Sequence, residues 1–188
     1  MTEESLLDPV QRARYGDLDA FDQLVHVHTA SAYRLAVAVV GESLARDLVQ
    51  EAFLAVWQQL PRLRDPERFA PWLHRIVVNR GRSMLRRGRT VREIPVSAFH
   101  EATLGGSHAG LDAAEARAVL AGAFADLSYD QRAVIALHYA AGLSLREAAD
   151  ALDIPTGTVK SRLAAALEAL RRRAGVDGSS AAEARWAR

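Results

Sequence analysis

Arg75, Asn79, Arg82 and Arg86 follow one another at intervals of four, three and four residues. On a helix that spacing puts all four on one face. Like charges so placed repel by a few tenths of a kcal/mol per pair, a penalty that a phosphate backbone laid along the row would remove. Arg80 and Arg87 flank it. A second cluster, "TGTVKSR", crowds Thr156, Thr158, Lys160, Ser161 and Arg162 into the start of a stretch whose apolar residues Val159, Leu163, Leu167 and Leu170 recur at helical spacing. Helix starts ordinarily favour acids, because the macrodipole leaves positive charge there. Hydroxyls and cations at that end instead suit an anionic partner, which exposed backbone N–H groups can also meet. A third set, Asp47, Glu51, Leu54 and Gln58 with Gln50 beside it, sets carboxylates around an outward leucine.

Other chemistries find no residues to carry them. The chain has no cysteine, which excludes disulfides, thiolate metal sites and cysteine nucleophiles. His26 and His28 stand two apart and cannot share a helix face, and His74, beside Trp72, reads as a solvated or partly packed helix residue. The sequence contains no phosphate-binding glycine loop and no zinc-protease pair of histidines. No enzyme, metal or cofactor is expected.

The 188 residues are 49% hydrophobic, enough for a core, and their net charge of +1 hides a segregation. Residues 61–92 hold ten basic and two acidic side chains, and residues 131–188 hold nine and six. The stretches 1–60 and 93–130 are both net acidic. Two basic blocks separated by acidic ones suit contact with a polyanion at two places. No uninterrupted apolar run approaches the ~18 residues of a membrane span, and the acidic start "MTEESLLDPVQ" lacks a signal-peptide apolar core. A cytoplasmic protein without membrane insertion is expected.

These side chains need helices to position them. Apolar residues recur at helical spacing from Asp19 to Arg87, and strand-like alternation is absent. In "LARDLVQEAFLAVWQQL" the stripe Leu44, Leu48, Val49, Ala52, Phe53, Val56, Trp57 and Leu60 predicts a core-facing helix. After the turn-rich "LPRLRDPER" a helix is predicted from about Phe69 to Arg87, burying Phe69, Trp72, Leu73, Ile76, Val77, Met84 and Leu85, with Gly81 admitting a close neighbour. Periodicity is lost over 90–111 and returns at 112. Ser128 with Gln131, then Ser144 with Glu147, form capping boxes, and Gly142 ends the helix between them. Two short helices joined across "DIPT", the second opening in hydroxyls and cations, match helix-turn-helix grammar, although a generic helical hairpin also fits. The reading is all-α: a helical bundle over 1–89, a flexible linker over 90–111, a helix-turn-helix domain over 112–174 and a disordered tail over 175–188.

The ordered set "GDLDAFDQLV", "ARDLVQEAFLAVW", "FAPWLHRIVVNRGRSMLRR", "LSYDQRAVIALHYAAGLSLREAADAL" and "IPTGTVKSRL" resembles a bacterial RNA polymerase sigma factor of the extracytoplasmic function group, over residues 11–174. The resemblance implies sigma regions 2 and 4 joined by a linker, binding to core polymerase through the β′ clamp helices and the β flap, recognition of −35 and −10 promoter DNA, and help in melting. It implies an anti-sigma factor as a further partner. It assigns Asp47, Gln50, Glu51 and Leu54 to polymerase and Arg64, Asp65, Arg75, Asn79, Arg82 and Arg86 to the −10 element. Thr156, Thr158, Lys160, Ser161 and Arg162 fall to the −35 element. Ser83, Gly81, Asp153 and Ala165 depart from the pattern common in that family. A self-sufficient helix-turn-helix regulator, or an adaptor that occupies polymerase without melting DNA, are the competing functions.

Overall fold

The computed structural model describes residues 8–87 and 122–173, and every described element is helical. The expected linker (90–111), the expected tail (175–188) and most of the helix expected from 112 lie outside the described residues. Helix α1 (Pro9–Arg14) opens with Asp8 accepting from the Val10 N–H and Pro9 in the first turn, where its missing N–H costs nothing. Asp17 caps α2 (Leu18–Val40) by accepting from the Ala20 N–H at 2.9 Å, and it pairs with Arg12 at 2.7 Å, tying the two helices. The Ala20 bond and Arg12 together hold the Asp17 carboxyl below its usual value.

Gly41, at φ +82°, both ends α2 and begins α3 (Glu42–Gln59). A corner of one residue needs that backbone region, which glycine enters without strain. The expected α3 stripe faces inward, with Leu44 and Trp57 at its partly exposed margin. Trp57 packs against Phe21 of α2, ring centroids 4.8 Å apart. Two 3₁₀ turns (Leu60–Arg62 and Pro66–Arg68), the second capped by Asp65, lead into α4 (Phe69–Arg86). Helices α2, α3 and α4 pack on one another, and α1 closes over α2.

A helical turn at 122–125 precedes α5 (Tyr129–Ile135), which runs on into a widened π turn (Ala136–Ala140). Both capping boxes form as expected: Ser128 and Gln131 at α5, Ser144 and Glu147 at α6 (Leu145–Leu152). Ser144 draws the Glu147 carboxyl below its usual value. Helix α7 (Thr156–Arg173) packs on α5 and α6. The halves also touch, α4 against α6 and α2 against α5 and the π turn, so their buried apolar side chains form one connected cluster.

His74 differs from expectation. It is 3% exposed, wedged between α4 and α2, with Nε2 3.0 Å from the Ser31 hydroxyl and Nδ1 unpartnered. Burial, aided by nearby His28 and Arg34, pushes its pKa down from about 6.5 to about 4. The folded state keeps this ring neutral where an unfolded chain would protonate it, so protons favour unfolding. Stability therefore declines as pH falls from about 6.5 to about 4 and levels below, by on the order of 3 kcal/mol from this group. The urea midpoint of the wild type is expected to drop between pH 7 and 4.5, and His74→Leu to lose most of that slope. Equal slopes in the two proteins would contradict a buried neutral imidazole.

Candidate nucleic-acid interface

Helix α4 carries its cations because its other face is buried: Phe69, Leu73, Ile76, Val77, Val78 and Met84 all point inward. Arg75, Asn79 and Arg86 are exposed on the opposite side, and Arg82 is half-buried. Arg86 donates to the Ser83 hydroxyl at 3.1 Å. Arg64 and Asp65 lie exposed in the segment between the 3₁₀ turns, where Asp65 accepts from the Glu67 N–H and faces Arg68 at 3.6 Å. Beside the row is an open groove of about 270 Å³, lined among others by Trp72, Arg75, Asn79, Arg80 and Arg87. The row reads from the sequence; the groove does not, because Gln59 closes it from the end of α3.

The second basic cluster sits where helix-turn-helix geometry requires. Asp153 takes the left-handed conformation (φ 56°, ψ 47°), and the Ile154 N–H returns to the Ala149 carbonyl at 3.1 Å, closing α6 in a Schellman-type cap. The Pro155 carbonyl then accepts from Thr158 and Val159, starting α7. Val159, Leu163 and Ala166 anchor that helix while Lys160 and Ser161 are exposed and Thr156 and Thr158 partly so. Ser161 donates to the Thr158 carbonyl at 3.0 Å.

Arg162 behaves differently from its neighbours. It pairs with Asp130 at 2.9 Å, and the other oxygen of that carboxylate takes Arg82 from α4. One arginine from each basic cluster thus shares a single acid. This use of Asp130 is not legible in the sequence: an acid in a first helical turn reads as a complement to the macrodipole, and Arg82 lies 48 positions away. On α3 the third set is assembled as expected: Asp47, Gln50 and Leu54 are exposed, Leu54 at 59%, and Glu51 partly so.

Comparison with known proteins gives this arrangement a family. Residues 24–91 match sigma-70 region 2 and residues 123–172 match sigma-70 region 4. The RNA polymerase sigma-H factor of Pseudomonas aeruginosa is 31% identical over 181 residues, covering 90% of this chain and 94% of its own. The ECF RNA polymerase sigma-E factor of Escherichia coli is 31% identical over 180 residues, covering 90% and 93%. The chain belongs to the extracytoplasmic function group of sigma-70 factors. Its general function follows: a sigma factor binds core RNA polymerase and gives it promoter recognition, and it is not an enzyme.

Solved structures agree. CnrH, in complex with the cytosolic domain of CnrY, is 28% identical with a TM-score of 0.62, over 90% of this chain and 97% of its own. The sigma factor RpoE of Bartonella quintana, in complex with the anti-sigma factor NepR, shares the fold at a TM-score of 0.60 and 23% identity, over 86% and 100%. Among the described residues of this sigma factor, no helix is long and apolar enough to cross a membrane, and no cluster of side chains could hold a metal ion. The two described halves correspond to regions 2 and 4.

The turn of region 4 is testable by itself. A β-branched residue at the left-handed position 153 is strained by about 1–3 kcal/mol. Asp153→Val is therefore expected to lower the thermal midpoint and Asp153→Gly to leave it nearly unchanged. An unshifted midpoint in the valine variant would contradict the geometry of the turn.

Proposed function

We propose that this sigma factor reads a −10 element with region 2 and a −35 element with region 4, and that it promotes melting between engagement and initiation. The observation that carries the reading is the α4 face. A row of arginines runs beside a groove of about 270 Å³, near the lower end of small-ligand sites, with Trp72 in its wall. Melting needs a protein that gains more from the unpaired strand than unstacking costs, and such a groove can take an extruded base while arginines track the backbone. Arg75, Asn79, Arg82 and Arg86, with Arg64 and Asp65 on the preceding segment, are the proposed −10 contacts.

On region 4, Thr156, Thr158, Lys160, Ser161 and Arg162 face intact duplex, where phosphate contacts fix position and a few base-edge contacts specify. Each region alone holds DNA weakly, and tethering both to one polymerase raises the effective concentration of the second contact. Asp47, Gln50, Glu51 and Leu54 dock on the β′ clamp helices, and region 4 on the β flap. The exposure of Leu54 beside carboxylates supports a protein partner for that face. The site of action is the cytoplasm. An anti-sigma factor is proposed as a further partner, supported by CnrH, which is seen with the cytosolic domain of CnrY bound.

Charge reversal on α3 tests the polymerase assignment. Glu51→Arg is expected to weaken co-purification with core polymerase by more than about tenfold while leaving helical content intact. Retained binding would remove the α3 face from the proposal, and a self-sufficient DNA-binding regulator would be indifferent to the change.

A further inference from the structure

Specific reading of a duplex is commonly done by long polar side chains, and the outward strip of α7 has none before Glu168. Buried Val159, Leu163 and Ala166 fix which side of the helix is turned inward. Opposite them Gly157, Ser161, Ala164, Ala165 and Glu168 are all exposed, and their intervals of four, three, one and three residues set them along one strip. Lys160 and Arg162, the neighbours of Ser161, stand about 100° to either side of it and so flank the strip.

Gly157 is not explained by the fold. It lies in helical backbone, and a Cβ there would meet nothing within 4 Å, so neither strain nor packing calls for the poorest helix former after proline. Its bare backbone leaves room for something outside the chain to come close. The flanking cations differ from each other. Lys160 is exposed, whereas the Arg162 guanidinium is 2.9 Å from the Asp130 carboxylate and 29% exposed, tied at the margin of the strip. A fork already engaged by an acid is poorly placed to grip the paired acceptors of a guanine.

From this arrangement we propose that Ala164 and Ala165 determine −35 specificity by setting their methyl groups against thymine 5-methyl groups, while Lys160 and Arg162 serve phosphates on the two walls of the groove. The proposal rests on the −35 reading of α7. A helix with its side chains is about 10–12 Å across, close to the ~12 Å width of the major groove, so a strip of small residues seats it deeper. Gly157 lets the first turn reach the backbone there. Cytosine lacks the 5-methyl group, so a methyl contact tells the two pyrimidines apart. Glu168 would face phosphate unfavourably and marks where α7 leaves the groove.

The test uses the full chain with core polymerase on promoter DNA whose −35 element has been located by mapping transcript 5′ ends. Replacing each thymine of that element in turn, on either strand, by deoxyuridine deletes only the 5-methyl group. At one or two positions this is expected to weaken binding about three- to fivefold, the worth of burying one methyl group. Ala164→Gly or Ala165→Gly should weaken binding to the unmodified element by the same factor and no longer sense deoxyuridine at its own position. Gly157→Ala should keep or raise the thermal midpoint and still weaken binding. Arg162→Ala should lose affinity almost equally for matched and mutated −35 elements, with a salt slope shallower by about 1. Should a glycine variant fail to fold, the deoxyuridine series on the unaltered protein still decides. A −35 element without thymine, full indifference to deoxyuridine, or loss of discrimination at one guanine in Arg162→Ala would overturn the methyl reading alone. Binding and transcription that ignore every −35 substitution would overturn the −35 reading beneath it.

Discussion

Everything the α4 face does depends on its opposite side being buried. Three of the four polar residues in the row are arginines, and Arg82 and Arg86, four apart, repel by a few tenths of a kcal/mol. Each large apolar side chain buried on the other face contributes about 1.5–3 kcal/mol. Phe69, Leu73, Ile76, Val77 and Met84 therefore outweigh the charge row several times over, and they fix which way it points. The same burial aligns α2 and α3 against α4, and Asp47, Gln50 and Leu54 of α3 are left outward. The outward faces of α3 and α4, proposed to meet polymerase and DNA, are thus consequences of one three-helix packing, and a substitution in that core would disturb both.

Region 4 is smaller and leans on local devices. Two capping boxes, a left-handed Asp153 and the Pro155 carbonyl set the ends of α5, α6 and α7 through bonds between residues close in sequence. His138 adds a tie, its Nδ1–H donating to the Leu143 carbonyl at 2.7 Å across the turn that Gly142 makes possible. Buried Arg132 is held by the Ala125 and Leu127 carbonyls and, across the interface, by Val39. Its position lets one charged side chain join the two halves without an acid.

What the sequence revealed followed the range of each interaction. The capping boxes involve residues three apart, and both were legible; so were the inward stripes of α3 and α4, because periodicity encodes a face without naming what lies against it. Gly81 announced a close neighbour, but not that the neighbour is Tyr129. His74 reads as a surface or margin residue in its own helix, and only Ser31 of α2, 43 positions earlier, makes its buried site polar. Asp130 escaped for the same reason: its role is set by Arg82 and Arg162, each on a different helix. The residues of the proposed interfaces were legible as chemistry and spacing, whereas the shared partner of Arg82 and Arg162 was not.

The central claim is that this chain gives RNA polymerase a choice of promoter. The most direct measurement is in vitro transcription from fragmented genomic DNA with core polymerase and the purified protein, followed by mapping of the 5′ ends. The account predicts starts that depend on the protein and share two upstream sequence elements. Sequence-specific DNA binding that persists without polymerase, with no protein-dependent starts, would contradict it.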